Sequence, residues 1–383
     1  MLRRSARTVI IIRSKPTKNT RFGGCFSLQK ATKSGIDNNM LGLNCDFKLK
    51  TQNSDFRVAE VPLLPDMDSA PKKYTYLCLE KSNFTTFDAL EKIMDFYGLA
   101  FDDLVAEGLK DEDGITQQLI SVHKKLSKKS LKEFNQKYNS PDEFIRIELK
   151  GYGAEPLRAK ALHGNAFTII VRNLSLEEAE KIIAFGQKCH FFPFINYYDN
   201  QRFGLPGGPY TTHLIGKAIV EEKWDEAFEI LKSSGNDIPE GKSGRDAFLA
   251  LNPGRVGFYI SAYNSYLWNN AVSDYIKEQG NSKACDFPGI GDLYLPQSME
   301  ISLPIGGLSA KGYRLDRESF EIHERMVSRS VFSATAIYAN GLAKDEIFKD
   351  KYRVTLSFFL HTGSYATMII KQYIKASLEE KDV

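Results

Sequence analysis

Residues 354–360 place Val354, Leu356, Phe358 and Leu360 at every second position, and residues 55–61 show the same alternation near the other end of the chain. Apolar side chains spaced by two belong on one face of a half-buried strand. Between these two strands, the region from Thr211 to about Lys344 carries helical patterns and a glycine-rich middle. The simplest account is a core domain interrupted by an insertion, whose last strand and helix return at the end.

The intervening patterns fill in this outline. Residues 74–79 are rich in aromatic and β-branched side chains and predict a strand, as do residues 167–171. Thr85 with Asp88 opens a helix carrying Phe87, Leu90, Ile93, Met94 and Tyr97 on one side, and Gly98 ends it. Ser175 with Glu178 forms a capping box for a second helix through Ile182 and Ile183. Helices are also predicted over 262–276 and 366–378. Strands and helices mixed without regular alternation indicate an α+β fold. Gly204, Pro206, Gly207, Gly208 and Pro209 form a cluster of breakers that marks a boundary near 196. The expected units are a basic leader over 1–36, a core over 37–195 and 345–383, and an insertion over 196–344.

Charge is divided unevenly along this plan. Residues 1–36 hold nine basic and no acidic side chains, which leaves the rest of the chain at −6 although the total is +3. A basic, acid-free leader has the composition of an organelle transit peptide or of a disordered basic arm, and an over-extended start site would look the same. A cytoplasmic protein is expected, or a mitochondrial or other organellar one if the leader is a transit peptide. A negatively charged body can bind nucleic acid only through a local patch. Lys124, Lys125, Lys128, Lys129, Lys132 and Lys137 are candidates for one, although such a run is more often a solvated face.

Several function classes drop out. The longest aliphatic run is the four residues 9–12, so no membrane span is expected. The five cysteines are far apart and the six histidines scattered, without the spacing of a metal site or a disulfide framework. Gly235 with Gly241-Lys242-Ser243 has the wrong spacing for a phosphate-binding loop and reads as a surface loop.

The most informative stretch is Gly108-Leu109-Lys110-Asp111-Glu112-Asp113-Gly114-Ile115-Thr116-Gln117-Gln118. A lysine beside an aspartate favours the ionised carboxylate, which can act as nucleophile or base. By composition alone the stretch would be an exposed polar turn. It resembles, however, the GxKDxxAxTxQ signature of the TruD family of pseudouridine synthases. Four further segments resemble that family in its order: the strand from Lys50 through Asp55-Phe56 to Glu60, His163-Gly164-Asn165-Ala166-Phe167, Asn196-Tyr197-Tyr198-Asp199-Asn200-Gln201-Arg202-Phe203-Gly204, and Gly363-Ser364-Tyr365-Ala366-Thr367. A weaker similarity covers residues 261–269.

The resemblance implies a catalytic domain with the mixed, largely antiparallel sheet of pseudouridine synthases, plus an inserted α/β domain forming the other wall of an RNA cleft. It implies isomerisation of a uridine in RNA without cofactor or metal, on transfer RNA, with position thirteen of the D arm as the habitual target. It maps the essential aspartate onto Asp111, a stacking ring onto Phe167 and a polar contact onto Asn165. Phe56 and Tyr365 would line the same pocket, Lys50 and Lys110 would be charge partners, and Glu60 a supporting carboxylate. A monomer is expected. On residue type alone, Phe56, Phe167 and Tyr365 read as core, Gly164-Asn165 as a turn, and Arg202 as a brace between domains.

The chain departs from the family pattern at Asn53, Gly114, Asp199, His361-Thr362 and Lys371-Gln372. None touches Asp111. Asp199 and its neighbours would face or flank the substrate, which puts the difference on the RNA target.

Overall fold

The structure is a computed structural model that describes residues 45–379, except 64–66, 107, 158–161, 205–208, 237, 252, 298–306 and 317. The expected leader over 1–36 lies outside the described residues, as do three of the five breakers after Phe203. The first part of the chain runs β1 (Phe56–Pro62), β2 (Tyr74–Ser82), α1 (Thr86–Tyr97), β3 (Leu104–Ala106), β4 (Ile115–Val122), α2 (Lys128–Lys137), β5 (Phe144–Gly153), β6 (Leu162–Leu174), α3 (Leu176–Lys188) and β7 (Phe192–Ile195). The middle contains α4 (Thr212–Val220), α5 (Trp224–Ser233), α6 (Gly244–Ala250), α7 (Pro253–Glu278), β8 (Ser282–Phe287), β9 (Gly291–Pro296), β10 (Leu308–Leu315), β11 (Ile322–Arg329) and β12 (Phe332–Thr335). The chain closes with β13 (Ile337–Lys344), β14 (Tyr352–His361) and α8 (Ala366–Glu379).

Local signals account for the helix ends. The Thr85 hydroxyl accepts from the Asp88 N–H at 3.0 Å, and Gly98 stops α1 in the left-handed region at φ 59°. The capping box of Ser175 and Glu178 is closed in both directions, opening α3.

The main sheet has the strand order β13-β14-β6-β1-β4-β2-β5, with β3 also on β4. Only β1 and β4 run parallel; the remaining pairs are antiparallel. Register puts Val58 beside both Thr116 and Phe167, Phe167 beside Phe358, and Thr116 beside Lys81. Paired residues share a face, so these five side chains mark one side of the sheet. Two cores are built on that side. One joins Leu77, Leu79, Ile120, Ile145 and Ile147 to α1 and α2. The other joins Val58, Ile169, Leu356 and Phe358 to α3 and α8. The central strands β1 and β4 lie between the two.

The inserted segment is tied to this sheet by α7. Its first half packs Val256, Tyr259 and Ile260 against α4, α5 and α6. Its second half puts Trp268, Val272 and Ile276 into the same core as α8 and the β8–β9 hairpin. A helix of 26 residues is about 39 Å long and rigid, so it couples the two regions mechanically. Sheet membership also begins before residue 345: β13 pairs with β14, and β12 pairs with β7. Both were expected inside the insertion. An edge strand buried at only one position, Ile337, carries no alternating signal by which to find it.

Among the described residues, no helix is long and apolar enough to cross a membrane.

Candidate active site

Strand pairing creates the loop that carries Asp111. β3 pairs with the far end of β4, residues 120–122, while β1 occupies the same edge of β4 at residues 115–117. The connection over 108–114 therefore leaves the plane of the sheet between β3 and β1. Gly114 permits the close approach, because a Cβ there would lie 2.7 Å from the Phe56 carbonyl oxygen. The family's usual alanine at this position would need the backbone to shift.

Two buried groups hold the loop from below. Lys81, wholly buried, donates from Nζ to the carbonyls of Asp111 (2.7 Å) and Lys110 (3.3 Å). The Thr86 hydroxyl, at the first turn of α1, accepts from the Lys110 N–H at 3.0 Å. Burial, its largest influence, pushes the Lys81 ammonium down to about 8. Neither residue was singled out from sequence. The signal for Lys81 was present: it continues the register of Leu77 and Leu79 and so sits on the buried face of β2.

With its backbone held, Asp111 presents its carboxylate to solvent. The side chain is 53 % exposed, and Lys50 Nζ lies 2.8 Å from Oδ2. Lys50 is the main cause that keeps this carboxyl below the usual range, with Lys81 and Lys110 adding to it. Lys50 itself takes a left-handed backbone conformation (φ 55°) after the buried Phe47 and Leu49. Such a conformation in a non-glycine residue costs about 1–3 kcal/mol, so the surrounding structure must impose it. Its ammonium also lies 4.3 Å from the centroid of Phe56.

The remaining expected residues gather on the same sheet face. Lys110 pairs with Glu60 at 2.7 Å, and Glu60 also accepts from the Leu119 N–H at 2.9 Å. Burial raises the Glu60 pKa, and Lys110 opposes the rise. Phe56 meets Phe167 edge-on at 6.1 Å, and Phe167 stacks on Phe358 at 5.3 Å. Phe56 is buried, as its sequence texture suggested, whereas Phe167 is half-buried. Asn165 lies opposite Glu60 on β6. Its Oδ1, together with Thr116 Oγ1 and Gln118 Nε2, is buried without a partner. Buried polar groups are seldom left unpaired, so these three atoms are open to a hydrogen-bonding partner. Tyr365 follows β14 and meets Tyr198 edge-on at 5.0 Å. Burial raises its pKa, and Asp111 is among the charges that act on it.

One expectation is corrected in part. Asp199 does not face the cleft: it is fully buried, and its carboxylate accepts from Lys371 Nζ at 2.8 Å, with both side chains inaccessible. Gln372 bonds both the N–H and the carbonyl of Ile195 at 2.9 Å. The departures at 199 and 371-372 therefore brace the chain against α8. Asp199 and Lys371 complement one another inside the protein. Arg202 is half-buried, donating to the hydroxyls of Ser265 (3.2 Å) and Ser261 on α7. The six lysines of 124–137 are exposed on and before α2, which packs by the edge strand β5.

Comparison with known proteins agrees with this geometry. The family model described as tRNA pseudouridine synthase D (TruD) matches residues 41–238, more than half of the chain. A tRNA pseudouridine synthase D from Aquifex aeolicus is 23 % identical over 393 residues, covering 85 % of this chain and 98 % of its own. The mouse protein pseudouridylate synthase 7 homolog is 25 % identical over 358 residues, covering 80 % of this chain and 51 % of its own. The crystal structure of a TruD protein from Methanosarcina mazei superposes with a TM-score of 0.54 at 18 % identity, covering 91 % of this chain and 97 % of that one. That likeness shows the shared fold. On the extent of the family match, the chain belongs to the TruD family.

Proposed function

We propose that the protein is a tRNA pseudouridine synthase in which Asp111 acts at C1′ of the target uridine. In this isomerisation the bond from N1 to C1′ breaks, the uracil turns within the site, C5 bonds to C1′, C5 loses its proton to solvent and N1 gains one. Asp111 serves either by attacking C1′ or by assisting glycal formation. The observation that carries the reading is the carboxylate itself: ionised beside Lys50, open to solvent, and supported by a backbone that Lys81 grips. Flipping the uridine out of folded RNA costs a few kcal/mol, offset by stacking and base-edge hydrogen bonds. Phe167 supplies the ring, and Asn165 supplies an unused acceptor. Position thirteen of the D arm is the proposed target. The catalytic unit comprises the main sheet with α1, α2, α3 and α8, and the segment from 196 to β12 forms the opposite wall.

Tritium release from C5-labelled tRNA tests this reading. Asp111→Asn should abolish release while RNA binding persists. Near-normal release by the variant would remove Asp111 from the chemistry. Binding without release by the parent protein would favour a non-catalytic RNA-binding protein on the same scaffold.

A further inference from the structure

The inserted segment directs arginines toward the Tyr365 side of the cleft without giving them acidic partners. On β11, Glu324, Met326 and Ser328 are exposed, while Arg325, Val327 and Arg329 turn inward toward α7. Arg329 lies 4.6 Å from the Tyr198 ring and 5.4 Å from that of Trp268, and its Nη2 donates to the Gly363 carbonyl. Its Nη1 is buried and unpartnered, and so is Arg325 Nε. Arg202 is held by the neutral hydroxyls of Ser261 and Ser265 and lies 5.3 Å from the Phe258 ring. Among the described residues none of the three guanidinium groups reaches a carboxylate.

A guanidinium taken from water without an anion loses hydration that nothing replaces. Its planar fork of donors matches two oxygens of one phosphate, and flanking rings fix its orientation. Arg329 spends one donor on the Gly363 carbonyl and keeps Nη1 buried and unpaired, and Arg325 keeps Nε in the same state.

We infer that Arg329 and Arg202, continued outward by Arg325, form a phosphate-binding track that holds the RNA backbone beside Tyr365, next to the nucleotide drawn to Asp111. The inference rests on the proposed action on RNA. Both Arg202 and Arg329 act electrostatically on Tyr365, as does Asp111. Arg325 and Arg329 are four residues apart on one strand, about 13 Å, so they take different phosphates.

The test is filter binding of an unmodified tRNA transcript carrying a uridine at position thirteen, across a salt series, with parent, Arg329→Gln, Arg325→Gln and Arg329→Lys. Each arginine-to-glutamine change should reduce the slope of log affinity against log salt by about one, and weaken binding about tenfold or more at low salt. Arg329→Lys should keep the slope and lose affinity, because the charge remains while the fork is gone. A bracing role at Gly363 would weaken binding equally at every salt concentration, and unchanged slopes in both glutamine variants overturn the track. If Arg329→Gln does not fold, the slope of Arg325→Gln decides. Tritium release by the parent on the same transcript separates the two readings. Release with unchanged variant slopes sinks the track alone; steep parental binding without release sinks the isomerase reading and leaves the slopes to judge the track.

Discussion

The Lys50 ammonium lies 2.8 Å from the Asp111 carboxylate and 4.3 Å from the Phe56 ring centroid, so one cation serves an acid and an aromatic face together. Lys50 holds the Asp111 pKa below the usual range, so under the proposed role of Asp111 as the anion, activity should be present above that pKa and be lost as pH falls through it. Lys50→Met should move the acid limb of the single-turnover pH profile upward. A slower variant with an unmoved acid limb would show that Lys50 positions something other than this charge.

Lys81 makes activity and stability respond to alkali in opposite directions. In the folded protein its ammonium loses its proton near pH 8, whereas in the unfolded chain it keeps it up to the ordinary value of 10.5. Between these values the unfolded state binds more protons, so stability should rise with pH. Over the same range the grip on the Lys110 and Asp111 carbonyls weakens and the rate should fall. Lys81→Met should reduce the maximal rate about tenfold or more, with a melting temperature close to the parent's. A rate that stays flat from pH 7 to 10 would detach Lys81 from the loop.

Phe167 is half-buried between Phe56 and Phe358, which leaves part of its ring for a base. Phe167→Leu keeps most of the volume, so stability should fall by less than about 1.5 kcal/mol. Losing a base–aromatic stack of about 1–3 kcal/mol should slow single-turnover chemistry at saturating enzyme by about 5- to 150-fold. A parent-like rate would return Phe167 to a packing role, whatever the melt shows.

The buried pair of Asp199 and Lys371 predicts a coupled substitution. Asp199→Gly, which restores the family's glycine, takes this counter-ion from an inaccessible ammonium and should cost about 3–5 kcal/mol in urea denaturation. Asp199→Gly combined with Lys371→Met should recover most of the loss, because the stranded charge leaves with its partner. A double variant no more stable than the single would mean that the pair does not act as a unit.

What the sequence determined by itself is local. Thr85, Gly98 and the Ser175–Glu178 box mark helix ends because each cap is a hydrogen bond spanning a few residues. The alternation of 354–360 marks β14 because the pleat has a period of two. The motif around Lys110-Asp111 points to the candidate carboxylate, since the residues that set its charge include its sequence neighbour. Tertiary structure alone decided which distant charges meet. Arg172 is stapled to Asp55 and Asp345, and Lys371 to Asp199, across intervals of more than a hundred residues. Lys81 reaches under the Asp111 loop only because β2 pairs antiparallel with β4. A lysine and an aspartate carry the same sequence signal whether solvated or buried; burial and partner follow from strand order and register, which short-range patterns do not encode.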